Sequence, residues 1–222
     1  MLTKLEPTAE EKRVLAAASN AIVKVGVGRG FVVASGAGDR FVITAAQCLG
    51  DLPRLPASHA THRTYPALLR PLADGKTPVA AECLFVDPIA DVAVLAGPDN
   101  QVLSKDAADF EAFIAAHAVL PMTRMPLRAH RSAQGWLMTA AGEWKRCILT
   151  GCGPPEQTAL TIAVVGPPAG YAPAACGSPL LDAGGRVVGV VSLGEVLNPT
   201  LPTRLPLAVV HQIAAPLTLA GL

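Results

Sequence analysis

The side chains in this 222-residue chain best suited to covalent or proton chemistry are five cysteines and five histidines. A free thiol ionises near about pH 8.5, so a few per cent is thiolate at neutral pH and can attack an electrophilic carbon unaided. Cys48, Cys83, Cys147, Cys152 and Cys176 are odd in number and widely scattered. Their spacing fits neither a disulfide framework nor a metal-ligand set, and the C-x4-C of Cys147 and Cys152 stands alone. His59 and His62 lie in a Pro-rich stretch that reads as loop, while His117, His130 and His211 have no neighbours that give them a role. No cofactor motif is present, so none is expected.

The elements that must hold these groups are short. The chain is 51% apolar and 16% charged, with 20 Gly, 20 Pro and 4% aromatics, which describes many strands and turns around a core of Ala, Val and Leu. A formal net charge of +1 without a basic block excludes nucleic acid and anionic membrane as main partners. With no apolar run of signal or spanning length and an odd cysteine count, a reduced, cytoplasmic setting is expected.

The order of elements follows from the pattern. Thr8 and Glu11 form a capping-box signature before a helix running to about Ser19, with Val14, Leu15 and Ala18 on its apolar face. AIVKVGVGRGFVVAS predicts two strands around a Gly-rich bend, RFVITAA a third, and CLFVDP and DVAVLAG two more, while residues 51–78 read as loops and an edge strand. SKDAADFEAFIAAHA spaces Phe110, Phe113 and Ile114 helically, with Ser104 or Asp106 as cap. GWLMTAAGEWKRCIL reads as a hairpin holding Trp136 and Trp144, followed by TALTIAVV, by GSPLLDAGGRVVGVVSLG with a turn at Ala183–Gly185, and by a closing helix in LPLAVVHQIAAPL. The resulting plan is mainly β: an N-terminal helix (1–20), a first β-barrel (21–98), a helical linker (99–122), a second β-barrel (123–204) and a C-terminal helix (205–222). From composition alone, two packed antiparallel barrels are not separable from a sandwich.

Three segments then stand out in order. FVITAAQCL (41–49) resembles the "LTAAHC" signature, DVAVL (91–95) the "DIALL" strand, and ACGSPLLDAGGRVVGVVS (175–192) the "G-x-S-G-G-P-L" nucleophile segment of the trypsin-like (chymotrypsin/HtrA-type) serine peptidases. The resemblance covers about residues 21–214 and implies two six-stranded barrels with a cleft between them. It places Gln47 at the general-base position, Asp91 at that of the orienting carboxylate and Cys176 at that of the nucleophile. Ala174 and Cys176 would supply the oxyanion-hole backbone, and Ser192, Leu193 and Gly194 would line the first specificity pocket and pair with substrate. Ala175 stands where zymogen-activated members keep an aspartate, so activation by terminal insertion is not expected. No PDZ-like segment follows.

The departures change the chemistry. An imidazole relays a proton from nucleophile to leaving amine; the Gln47 amide does not titrate near neutral pH. Losing the base costs about 10⁴ to 10⁶ in turnover, or about 5 to 8 kcal/mol of barrier. Cysteine-using viral relatives retain the histidine, which leaves Cys176 without an activator. If position 174 needs a positive φ, Ala174 is strained there and misaims one donor, for another 10² to 10³, roughly. The expectation is therefore a pseudoprotease whose cleft binds a peptide or protein partner, with no metal. The alternative is an endopeptidase using Cys176 with an unconventional base, such as a loop histidine, or one supplied by a partner, and preferring an apolar residue beside small Gly170 and Ala172. Against both stand the readings of Cys176 as inert filler and of Gln47, Asp91 and Ser192 as a purely structural hydrogen-bond network.

Overall fold

The computed structural model describes residues 6–50, 63–72, 77–87, 91–123, 132–152, 159–164, 175–191 and 205–206. Helix α1 (Ala9–Ser19) begins where the capping box is made: the Thr8 hydroxyl accepts from the Glu11 amide at 3.2 Å, and the Glu11 carboxylate accepts from the Thr8 amide at 2.8 Å. Its Leu15 and Ala18 are buried, and Val14 reaches the turn at Gly185, where an added Cβ would lie 2.3 Å from the Val14 side chain. Glu11 also pairs with Arg146 at 3.1 Å, and Trp144 Nε1 donates to the Ser19 hydroxyl at 2.9 Å. The helix is thus fastened to the second half of the chain while leading directly into the first.

Strands β1 (Ile22–Val25), β2 (Gly28–Ala34), β3 (Arg40–Thr44), β4 (Arg63–Pro71), β5 (Val79–Asp87) and β6 (Val92–Ala96) form a closed antiparallel barrel in the order β1-β2-β3-β6-β5-β4. Its interior is aliphatic apart from Phe31, as the scarcity of aromatics requires, and Val23, Val25, Val33, Val42, Leu69 and Leu95 are fully buried. The edge strand expected within residues 51–78 is corrected by this closure, because β4 pairs with both β1 and β5. Pro66 makes this possible by falling within the register shift between Tyr65 and Leu69, where the ladder does not require its missing N–H.

Helix α2 (Ser104–Ala115) packs Phe110 and Ile114 against the barrel. The expected Ser104 or Asp106 cap is not made; Leu103 occupies that position without a side-chain bond. A preceding turn supplies the order instead, with the amides of Val102 and Leu103 bonded to the Asp99 carbonyl and that of Gln101 to its carboxylate. Arg40 closes the other end, donating to the carbonyls of Ile114, Ala115 and His117. From there the chain crosses between halves through Leu120 N–H to Val32, Val187 N–H to Pro121, and Thr123 N–H to Val187.

The second half is a six-stranded antiparallel sheet, β11-β10-β7-β8-β9-β12, built from β7 (Ser132–Met138), β8 (Trp144–Cys152), β9 (Ala159–Val164), β10 (Pro179–Asp182), β11 (Val187–Val190) and β12 (Leu205–Pro206). The helix expected over 205–222 is corrected at its start, since Leu205 and Pro206 pair with Leu160 and Ala159; a proline there suits a short strand more than a helix interior. Residues 207–222 lie outside the described residues. No helix among the described residues is long and apolar enough to cross a membrane.

Candidate functional site at the seam between the halves

Strand β3 ends at Thr44 and turns into a single 3-10 turn, Ala46–Leu49, which carries Gln47 and Cys48 side by side. Asp91 precedes β6, and the β3–β6 pairing brings the two segments together. Asp91 has φ of 53°, the one non-glycine in the left-handed region among the described residues. This short polar side chain tolerates that region, at a cost that its hydrogen bonds offset. One carboxylate oxygen accepts from the Gln47 backbone N–H at 2.9 Å and the other from Gln47 Nε2 at 2.6 Å. Both residues are half-buried. Gln47 therefore occupies both oxygens of the carboxylate at once.

Cys176 sits in the turn before β10. The turn is held by Ser178 N–H to Ala175 O (3.1 Å), Gly177 N–H to Val191 O (2.7 Å) and Val191 N–H to Ser178 O (2.8 Å). Gly177 has φ of +78°, and a Cβ there would lie 1.9 Å from the Arg29 carbonyl oxygen, so only glycine fits. On the barrel side, Arg29 N–H donates to Cys176 O at 2.8 Å, and the Thr44 hydroxyl donates to Arg29 O at 2.6 Å. Cys176 is only 2% exposed.

Cys48 is 1% exposed and lies against Cys176. The Cys176 side chain holds the Cys48 thiol below the ordinary thiol range, with smaller help from Thr44 and the Arg29 backbone and against the opposing effect of burial. Gly28 makes the approach possible: a Cβ on it would lie 2.5 Å from Cys48 Sγ and 2.6 Å from Cys176 O. The remaining thiols differ. Cys147, buried in β8, is pushed up to about 12 by desolvation, and Cys83 Sγ bonds the Phe85 carbonyl at 3.3 Å.

Arg29 is the residue that sequence reading missed. It is 6% exposed and crosses the seam, with Nη1 donating to Thr139 O and Nη2 to Ala140 O, both at 2.6 Å, and Nη1 reaching the Ser178 hydroxyl at 3.5 Å. Burial pulls its guanidinium below its usual value. The available signal was a charge between two glycines inside an apolar strand, GRGFVVA. Of the other anticipated residues, His117 closes α2 through Nδ1 to Phe113 O at 2.7 Å. Ala174, Ser192, Leu193, Gly194, His59, His62, His130 and His211 lie outside the described residues. No cluster of three or more potential metal ligands occurs among the described residues.

Comparison with known proteins agrees with the fold. A family model described as a trypsin-like peptidase domain matches residues 28–190. Among solved structures, the Rv3671c protease in its inactive form is similar over 98% of both chains, at 19% identity and a TM-score of 0.57. The active form of that protease, from M. tuberculosis, is similar over 96% of this chain and 93% of its own, at 20% identity and a TM-score of 0.54. A serine endoprotease from Yersinia pestis is similar over 98% of this chain and 69% of its own, at 15% identity and a TM-score of 0.55. At these identities the likeness is one of fold. No curated protein matches the chain.

Proposed function

Because the chain belongs to the trypsin-like peptidase family, we propose that it is a member with impaired peptide-bond cleavage that keeps its cleft to hold a peptide or a protein partner. In this reading the second sheet is the second barrel of the family fold, and Gln47, Asp91 and Cys176 stand at the three triad positions. The observation that carries it is the double hydrogen bond from Gln47 to Asp91. An amide stands where the imidazole is needed, one of its two N–H donors given to the carboxylate, and it does not titrate to relay a proton.

The burial of Cys176 adds to this, since a nucleophile must be reached by the carbonyl it attacks. Partner binding would draw on Ser192, Leu193 and Gly194, which by the family resemblance would stand where an extended peptide adds by backbone pairing. Ala174 in place of the oxyanion-hole glycine points the same way, and a cytoplasmic location fits cysteines that form no disulfide among the described residues.

The competing reading, an endopeptidase with Cys176 as nucleophile, draws its support from the neighbouring Cys48 thiol, which could share the proton. One experiment separates them. A peptide chloromethyl ketone with an apolar residue next to the warhead is incubated with the protein near neutral pH, and the label is mapped by mass spectrometry beside a Cys176→Ala control. The expected result is slow labelling with no preference for Cys176. Rapid, selective alkylation of Cys176, with peptide hydrolysis that vanishes in Cys176→Ala, would overturn the proposal.

A further inference from the structure

We infer that Cys48 and Cys176 are a redox-responsive pair that closes to a disulfide and ties the barrel covalently to the second sheet. The two cysteines come from different halves of the fold, one on the 3-10 turn after β3 and the other on the turn before β10. Cys48 Sγ and the Cys176 carbonyl nevertheless close on one point beside Gly28, 2.5 and 2.6 Å from where its Cβ would stand, and the Cys176 side chain lowers the Cys48 thiol below its ordinary range. Three features keep the sulfurs opposed. Gly28 has no Cβ to push the Cys48 sulfur away from the Cys176 backbone. The Arg29 amide holds the Cys176 carbonyl at 2.8 Å, and the Cys48 amide is fixed to Ala45 O at 3.0 Å. Neither turn has to move far for a bond to form.

The chemistry needs a two-electron oxidant small enough to enter a seam where both residues are 1 to 2% exposed, and a hydroperoxide meets that requirement. Cys48, whose thiol is held below the ordinary thiol range, gives up its proton and attacks one oxygen of hydrogen peroxide. The O–O bond breaks, and the departing hydroxide takes up a proton to become water, leaving Cys48 as a sulfenic acid. The Cys176 sulfur then attacks the Cys48 sulfur. The S–O bond breaks and a second water leaves with the proton of the Cys176 thiol. Two thiols lose two electrons and two protons, and one peroxide becomes two waters. A dithiol reductant reverses the change by exchange. The inference stands whether or not the cleft cleaves peptides, because it uses only the two thiols and their placement.

The test uses the full chain treated with hydrogen peroxide, quenched with catalase and alkylated after unfolding. Trypsin places Cys48 in residues 41–54, and a glutamate-specific protease cutting after Glu156 separates Cys176 from Cys147 and Cys152. The expected result is a cross-linked pair of these peptides, loss of two thiols per chain, and a thermal midpoint several degrees higher that falls back on reduction. Cys48→Ser and Cys176→Ser should each abolish the cross-link and the midpoint shift. Retention of both thiols, their over-oxidation without a cross-link, or a bond from Cys176 to any other cysteine would overturn the inference. If either serine variant fails to fold, the wild-type peptide map decides the matter by itself.

Discussion

Arg29 is a buried cation with no carboxylate partner among the described residues, held by the carbonyls of Thr139 and Ala140 and the Ser178 hydroxyl. Each carbonyl accepts a charge-assisted bond, and removing the buried guanidinium takes a partner from both. Arg29→Ala is expected to destabilise the protein by about 2 to 4 kcal/mol, read from urea unfolding. Arg29→Lys should recover only part of this, because a single ammonium cannot span both carbonyls as the planar fork does. Unchanged stability in Arg29→Ala would show that the seam is not held from this side chain. At this scale the sequence was legible for Gln47 and Asp91, whose neighbours in the chain identify them. It was silent on Cys48 meeting Cys176, because nothing local in TAAQCL or AACGSP encodes a contact made only when two halves pack.

Among the elements, the turn that carries Cys176 is the least tolerant of change. Its Gly177 combines φ of +78° with a backbone oxygen 1.9 Å from where a Cβ would stand. Backbone strain of about 1 to 3 kcal/mol adds to an overlap that only movement of β2 relieves. Gly177→Ala should therefore lower the thermal midpoint and also break the Arg29 N–H to Cys176 O bond, detectable as faster amide exchange at Arg29. The hairpin β7–β8 and the strands around the Gly-rich bend were readable because their signals are local: alternating apolar residues bounded by glycine. The enclosure of β4 was not, since closing a ring depends on register between distant strands, here Val23 to Pro71.

For the whole molecule, α1 is the tether between halves, and its hold depends on pH. Glu11 is held below the usual carboxylate range, first by the hydrogen bond from the Thr8 backbone and then by Arg146 among smaller terms, so its native state binds protons less readily than the unfolded chain. Its contribution is present above the ordinary carboxylate range and is lost as pH falls through the lower folded value. Acidification through that lower value should weaken the Glu11–Arg146 contact and loosen the start of α1, followed by Trp144 fluorescence. Glu11→Gln should remove that acid-sensitive step, and an identical acid transition in the variant would refute the assignment. The docking of α1 on the second half was hidden in the sequence, where Glu11 and Arg146 are far apart and each reads as an ordinary surface charge. Closure of the first half has one more consequence. A ring whose six strands are each paired on both sides presents no open ladder to a neighbouring copy. Growth of fibrils by strand stacking on this half would first require one of those pairings to be torn, so crowding is not enough to start it.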